Sequence, residues 1–309
     1  MTIVVTGGRG FLGRNVVRRL LKAGHEVRPV GSKDYDLTEQ HGVRALYAEL
    51  RPRVVVHCAA AVGGIGANVD NPGRFLYENA LMGLMLLEEG RLAGIDKLVM
   101  ISTSCAYPQD APLPLREEDL WEGPPTGATG PYGIAKRMLH DACLNYARQY
   151  GTNSTVLLLA NLYGPEDNFG AGSHVIPAII RRYIDAKRSN APSVTNWGSG
   201  HATREFLHVD DAARAVALAV ATRTGPEPIN IGTGQAVAIR EIAEAVQTAV
   251  GYGGDVRWDT TKPDGQPARY FDTTRASQRL GFTSAVPLEK GLVETVQWFR
   301  EKGQHLVSS

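Results

Sequence analysis

Short runs of consecutive apolar residues alternate, through the first half of the chain, with longer stretches whose apolar positions recur every three or four residues. Ile3-Val4-Val5-Thr6 is the first such run, and it leads directly into Gly7-Gly8-Arg9-Gly10-Phe11-Leu12-Gly13. From about Arg14 to Ala23 the residues Val16, Val17, Leu20 and Leu21 fall at helical spacing, and Gly24 marks the helix end. His25 to Val30 is extended again. Val54–His57, Lys97–Ile101 and Ser154–Leu159 read as further strands, with Phe75–Leu92 and Pro131–Tyr150 as the helices between them. Strands that are apolar throughout, rather than at every second position, are covered on both faces. The pattern therefore predicts an α/β fold of Rossmann type, a doubly wound parallel sheet with helices on either side.

Beyond about Tyr163 the pattern loosens into loops rich in Gly, Asn and Pro, with no internal repeat, low-complexity tract or linker. The expected organisation is a dinucleotide-binding unit over residues 1–165, completed by about 206–245. A smaller α/β substrate unit is expected from 166–205 and 246–309. A chain of 309 residues suits two such units.

Composition narrows the function classes. The 33 Lys+Arg and 32 Asp+Glu leave a formal charge of +1, without the clustered basic excess that a nucleic-acid or anionic-membrane surface requires. No apolar run approaches the length of a membrane span, and no signal peptide opens the chain. The three cysteines, Cys58, Cys105 and Cys143, are too few and too scattered for a disulfide framework, which points to a reducing, cytoplasmic compartment. No His/Asp/Glu cluster calls for a metal. The 34 glycines matter where they concentrate.

Gly7, Gly10 and Gly13 have the G-x-x-G-x-x-G spacing, after a strand and before an amphipathic helix. Small residues there let backbone N–H groups approach a pyrophosphate at the helix N-terminus. An Asp or Glu after the second strand would select NAD through the ribose 2′-OH. This chain instead has Arg28, Ser32 and Lys33 before Asp34, and Arg9 within the loop, a set suited to the 2′-phosphate of NADP. Further along, Tyr132 and Lys136 lie four apart on one helix face. There the ammonium is expected to stabilise a phenolate and lower the tyrosine pKa. Ser102-Thr103-Ser104 ends a strand, where ligands meet a parallel sheet.

The glycine loop, the hydroxyl cluster and the Tyr/Lys pair, in this order, resemble the extended short-chain dehydrogenase/reductase family. Supporting segments include Ala59-Ala60-Ala61-Val62-Gly63-Gly64, Ser104-Cys105-Ala106-Tyr107-Pro108, Pro131-Tyr132-Gly133-Ile134-Ala135-Lys136, Asn161-Leu162-Tyr163-Gly164-Pro165 and Ser173-His174-Val175-Ile176-Pro177. Trp197-Gly198-Ser199-Gly200, Arg204-Glu205-Phe206-Leu207-His208-Val209-Asp210-Asp211 and Lys262-Pro263-Asp264-Gly265 extend the likeness over most of the chain. It implies a catalytic Thr103 (or Ser104), Tyr132 and Lys136; the family commonly has serine at position 103, and threonine keeps the donor. It implies NADP(H) contacts from Gly7, Gly8, Arg9, Gly10, Phe11, Leu12, Gly13, Lys33, Ile101, Ser102, Thr103, Ser104, Lys136, Leu159, Ala160, Asn161, Leu162 and His174.

The likeness is to the members that convert nucleotide-bound 4-keto-6-deoxyhexoses. It implies Cys105 as base and His174 as acid in epimerising C3 and C5, before NADPH-dependent reduction at C4. Unperturbed pKa values near 8.5 and 6.5 suit both roles. Arg182 and Arg204 are expected on the diphosphate, Trp197 on the base or sugar and Asp264 on a hydroxyl, with GDP the preferred nucleotide. The same resemblance implies a homodimer through two sheet-flanking helices. Two alternatives stay open, a different sugar nucleotide and a catalytically silent NADP-binding homologue.

Overall fold

The computed structural model describes residues 1–170, 172–262 and 264–303; within that span the side chain of residue 65 is left aside. Pro263, in one of the segments carrying the resemblance, therefore lies outside the described residues.

Six parallel strands form the central sheet: β1 (Thr2–Thr6), β2 (Glu26–Val30), β3 (Val54–His57), β4 (Lys97–Thr103), β5 (Ser154–Leu159) and, later in the chain, β10 (Ile229–Ile231). Their spatial order is β10-β5-β4-β3-β1-β2. The chain runs outward from β1 to β2, then returns to the other side of β1 to begin β3. The switch point between β1 and β3 is where a doubly wound sheet opens a crevice.

The continuous apolar strands are buried on both faces, as patterned. Ile3 and Val5 face one way, onto α1 (Phe11–Lys22), α7 (Val209–Ala221) and α9 (Thr274–Leu280). Val4, Val55, Leu98, Met100 and Val156 face the other, onto α2 (Gln40–Leu50), α4 (Pro72–Ala93) and α5 (Gly130–Tyr150). Two departures from the sequence reading are local. Helix α1 begins at Phe11, inside the glycine loop, because its first intrahelical bond runs from Arg14 N to Gly10 O at 3.0 Å. Helix α2 had no clear signature, since its buried apolar residues are only Val43, Leu46 and Tyr47.

A second core lies beyond β6 (Asn161–Tyr163), which pairs in parallel with β9 (Phe206–His208). It is built on α6 (Val175–Arg188), α8 (Ile239–Val250) and α10 (Leu288–Trp298), against the β7 (Ser193–Trp197) and β12 (Asp255–Asp259) pair. The short strands β8 (Thr203–Arg204), β11 (Val237–Ala238) and β13 (Ala268–Arg269) form a small sheet beside it, and α3 (Ile65–Asp70) precedes α4. Helix α8 crosses the boundary expected near residue 245: Ile242, Ala243, Val246 and Val250 all pack in the second core. Helix α9 returns to the first, through Ala276 and Leu280. No helix among the described residues is long and apolar enough to cross a membrane.

Candidate active site

The glycine loop is a cradle whose steric logic is explicit. A Cβ on Gly7 would lie 2.7 Å from Ala59 N, and one on Gly13 only 2.1 Å from Gly7 O. On Gly8 it would lie 2.7 Å from both Pro29 Cβ and Val5 O. Gly7 also has φ +64°, a left-handed conformation that L side chains disfavour. The loop thus packs backbone against backbone at the switch point. The N–H groups of Phe11, Leu12 and Gly13, in the first turn of α1, have no carbonyl within the helix to receive them. A dinucleotide pyrophosphate fits this cradle.

At the end of β2 the charges are partly committed. Arg28 pairs with Glu26 at 3.0 Å, with both side chains exposed. Arg9 pairs with Asp34 at 2.9 Å. Gly31 N donates to the same carboxylate at 2.8 Å, and these bonds hold the Asp34 pKa below its ordinary range. Lys33 is exposed alongside. Arg14 and Arg18, not singled out from the sequence, stiffen the loop: Arg14 Nη2 donates to Arg9 O at 2.8 Å, and Arg18 grips both oxygens of Glu166 at 3.0 Å.

Across the crevice, β4 and α5 bring Thr103, Cys105, Tyr132 and Lys136 together. Lys136 is buried, and its Nζ donates to Ile101 O at 3.2 Å. Loss of hydration pulls its pKa down to about 8. Its Nζ lies 5.8 Å from the Tyr132 ring centroid. Burial pushes the Tyr132 phenol above its ordinary pKa, and a negative Cys105 would push it further. Against the expectation that the ammonium lowers the tyrosine pKa, burial is the larger influence on the phenol and acts the other way, while one of the three Lys136 N–H donors goes to Ile101 O.

The hydroxyl cluster divides by burial. Ser102 Oγ lies 2.6 Å from His140 Nε2 in the interior, so it is turned away from the crevice. Thr103 Oγ1 accepts from Cys105 N at 3.2 Å, capping the single 3₁₀ turn Ser104–Ala106, which leaves its own O–H hydrogen free to donate. Cys105 is a half-buried free thiol, whereas Cys58 and Cys143 are packed as small hydrophobes with pKa values pushed up to about 12 by burial. Leu159 and Ala160 are buried, Leu162 half-buried, and Asn161 donates to Glu205 O at 2.9 Å.

His174 is the N-cap position of α6, the first helix of the second core. It is open to solvent, yet the surrounding protein pulls its pKa below the ordinary value. Just before it, Gly172 approaches the start of α3, where a Cβ on Gly64 would lie 3.4 Å from Gly172 O.

The expected nucleotide-sugar residues spread over the smaller unit. Arg182 Nη1 donates to Asn196 Oδ1 at 2.5 Å rather than lying on a bare helix face. Trp197 is 72% exposed, so it is no core residue. Asp264 already accepts from Ser199 N at 2.6 Å and Ser199 Oγ at 2.7 Å, holding the turn after β7. Arg204 sits in register with Arg269 across the β8–β13 ladder, and burial together with that second cation lowers its pKa. Arg269 was missed by sequence reasoning, because no motif surrounds it.

A parallel sheet with a glycine cradle at its switch point, facing a buried Tyr/Lys pair, defines a dinucleotide-dependent enzyme of oxidoreductase or epimerase type. Residues 3–232 match the model of the NAD dependent epimerase/dehydratase family, and the chain belongs to that family. It is 40% identical, over 97% of its length and 92% of the relative's, to a protein of Oryza sativa subsp. japonica described as "Probable GDP-L-fucose synthase 1". Among solved structures, a GDP-L-fucose synthetase from Naegleria fowleri bound to NADP superposes with TM-score 0.90 at 30% identity, covering 98% of this chain and 93% of that one. A GDP-6-OMe-4-keto-L-xylo-heptose reductase from C. jejuni gives 0.91 at 29% identity, covering 97% and 98%.

Proposed function

We propose that this protein is a GDP-L-fucose synthase, which epimerises GDP-4-keto-6-deoxy-D-mannose at C3 and C5 and reduces C4 with NADPH. The observation that carries this reading is the 40% identity to a GDP-L-fucose synthase over nearly the whole of both chains. Residues 7–13 would hold the pyrophosphate, with Arg9 and Lys33 at the 2′-phosphate. When bound, NADPH supplies the hydride that C4 accepts.

In this mechanism the 4-keto group acidifies the protons at C3 and C5. The Cys105 thiolate removes one, leaving an enolate, and protonated His174 returns a proton to the opposite face. The lowered pKa of His174 makes its protonated form the stronger acid. Cys105 then releases its proton to solvent and His174 takes one up, so that the same pair inverts the second carbon. Thr103 O–H polarises the ketone, and Tyr132, kept as a neutral phenol by burial, gives its proton to the alkoxide formed at C4. Lys136 anchors that end of the site through Ile101 O. We assign the first core to the cofactor and the second, with Arg182, Trp197, Arg204 and Asp264, to the nucleotide sugar.

NADPH oxidation on mixing the protein with GDP-4-keto-6-deoxymannose tests the reading; its absence overturns it. A C4 reductase without epimerisation is the second reading, favoured by the superposition on the heptose reductase. Deuterium from solvent appearing at C3 and C5 of the product excludes it. We also propose a homodimer through α4 and α5, which leave Leu76, Tyr77, Leu92, Met138 and Tyr150 exposed. The three unpaired thiols support a cytoplasmic location. Light scattering that gives a monomer mass would overturn the dimer.

A further inference from the structure

Cys105 sits in a single 3₁₀ turn, too short to hold its own shape. Two guanidinium groups grip the carbonyls on either side of it. From α5, Arg137 donates to Ala106 O through Nε at 2.8 Å and Nη2 at 2.5 Å, and its Nη1 reaches Gly123 O. From β13, in the small sheet, Arg269 Nη2 donates to Ser104 O at 2.6 Å and lies 3.4 Å from Tyr107 O. Gln266 Oε1 receives Arg269 Nη1 at 2.8 Å. Among the described residues the partners of both arginines are backbone carbonyls and the Gln266 amide rather than carboxylates, so both bring positive charge to this turn. Burial lowers the pKa of each; for Arg269 the negative charge that Cys105 or Tyr107 would carry on ionisation acts in the opposite sense.

Neither arginine is needed to secure the turn sterically. The close approach of α5 already does that, because a Cβ on Gly133 would lie 2.1 Å from Cys105 O. What the guanidiniums add is charge and orientation. Arg269 adds a link as well, since it belongs to the small sheet that also carries Arg204.

We infer that Arg269, with Arg137 from α5, is a positioning residue for the epimerisation half-reaction, aiming Cys105 and placing positive charge beside its turn. The inference rests on the reading of Cys105 as the base. A guanidinium attracts a nearby negative charge by simple electrostatics, and the thiolate is the reactive form of a cysteine. Hydride transfer at C4 uses Tyr132, whose hydroxyl none of the Arg269 hydrogen bonds reaches. Loss of Arg269 should therefore separate the two halves of the reaction.

Three measurements on the full chain test this. In Arg269→Gln, alkylation of Cys105 by iodoacetamide at neutral pH should slow about fivefold. Solvent deuterium exchange at C3 and C5 should slow by at least about tenfold, with a larger share of reduced product lacking inversion at one or both carbons. Arg269→Lys, which keeps the charge but loses the fork, should recover the alkylation rate and only part of the exchange. NADPH affinity, followed by cofactor fluorescence, should match the unaltered protein in both variants and show that the fold is retained. Unchanged alkylation and exchange in Arg269→Gln would overturn the inference, as would exchange and reduction falling together. The underlying reading fails separately, if Cys105→Ser exchanges at the normal rate.

Discussion

Tyr132 and Lys136 stand four residues apart, yet what each does is set by burial more than by the other. The phenol is held above its ordinary pKa, so it enters the reaction carrying the proton it must give. Tyr132→Phe keeps the packing and removes that proton; NADPH oxidation should fall about a thousandfold with little change in melting temperature. Arg9 presents a different balance, since its charge is shared with Asp34. Arg9→Gln should raise the KM for NADPH about tenfold while leaving that for NADH nearly unchanged, measured by initial rates with each cofactor. Asp167 is buried with one carboxylate oxygen unpartnered, and its pKa is pushed up to about 7 from 3.8. Between those values the folded state binds the proton that the unfolded chain releases, so stability falls as pH rises toward 7. Asp167→Asn should flatten that slope and stabilise the protein at neutral pH by up to about 4 kcal/mol, read from urea midpoints across the range.

Elements meet here through missing side chains. Helix α1 reaches the switch point because Gly13 lies against Gly7 O, and α5 reaches the Cys105 turn because Gly133 lies against Cys105 O. In each case the obstacle is backbone, which cannot rotate aside. Gly13→Ala should lose NADPH affinity in a fluorescence titration and destabilise the ligand-free chain by about 1–3 kcal/mol, the usual cost of overpacking. The glycines were legible as a motif in the first case and invisible in the second. A G-x-x-G-x-x-G run after a strand announces its role, whereas Gly133 is one small residue within a Tyr-x-x-x-Lys helix.

At the scale of the molecule, Glu205 joins the two cores. It is buried between β8 and β9, and its carboxylate accepts from Thr233 N at 2.5 Å, Gly234 N at 2.7 Å and Phe271 N at 2.9 Å. It thus binds the loop after β10 and the chain leaving β13 to the strand that follows Arg204. Glu205→Ala would leave these donors unsatisfied; thermal unfolding should show a loss of about 3 kcal/mol, and the KM for the nucleotide sugar should rise as Arg204 loses its support.

The residues alone were enough for the parallel sheet, its flanking helices, the glycine cradle and the Tyr/Lys pair. These rest on periodicity and on spacings of a few residues, which local sterics and burial translate directly into structure. Folding was needed to show that Ser102 is turned inward to His140, that Arg9 shares its charge with Asp34, and that α8 packs in the second core. Folding also brought Arg269 to Ser104, a residue 165 positions away. Such partnerships depend on which surfaces meet after the chain has crossed itself, and no local pattern carries that information. The chemistry of the turn around Cys105 follows from them, since charge and desolvation act through space.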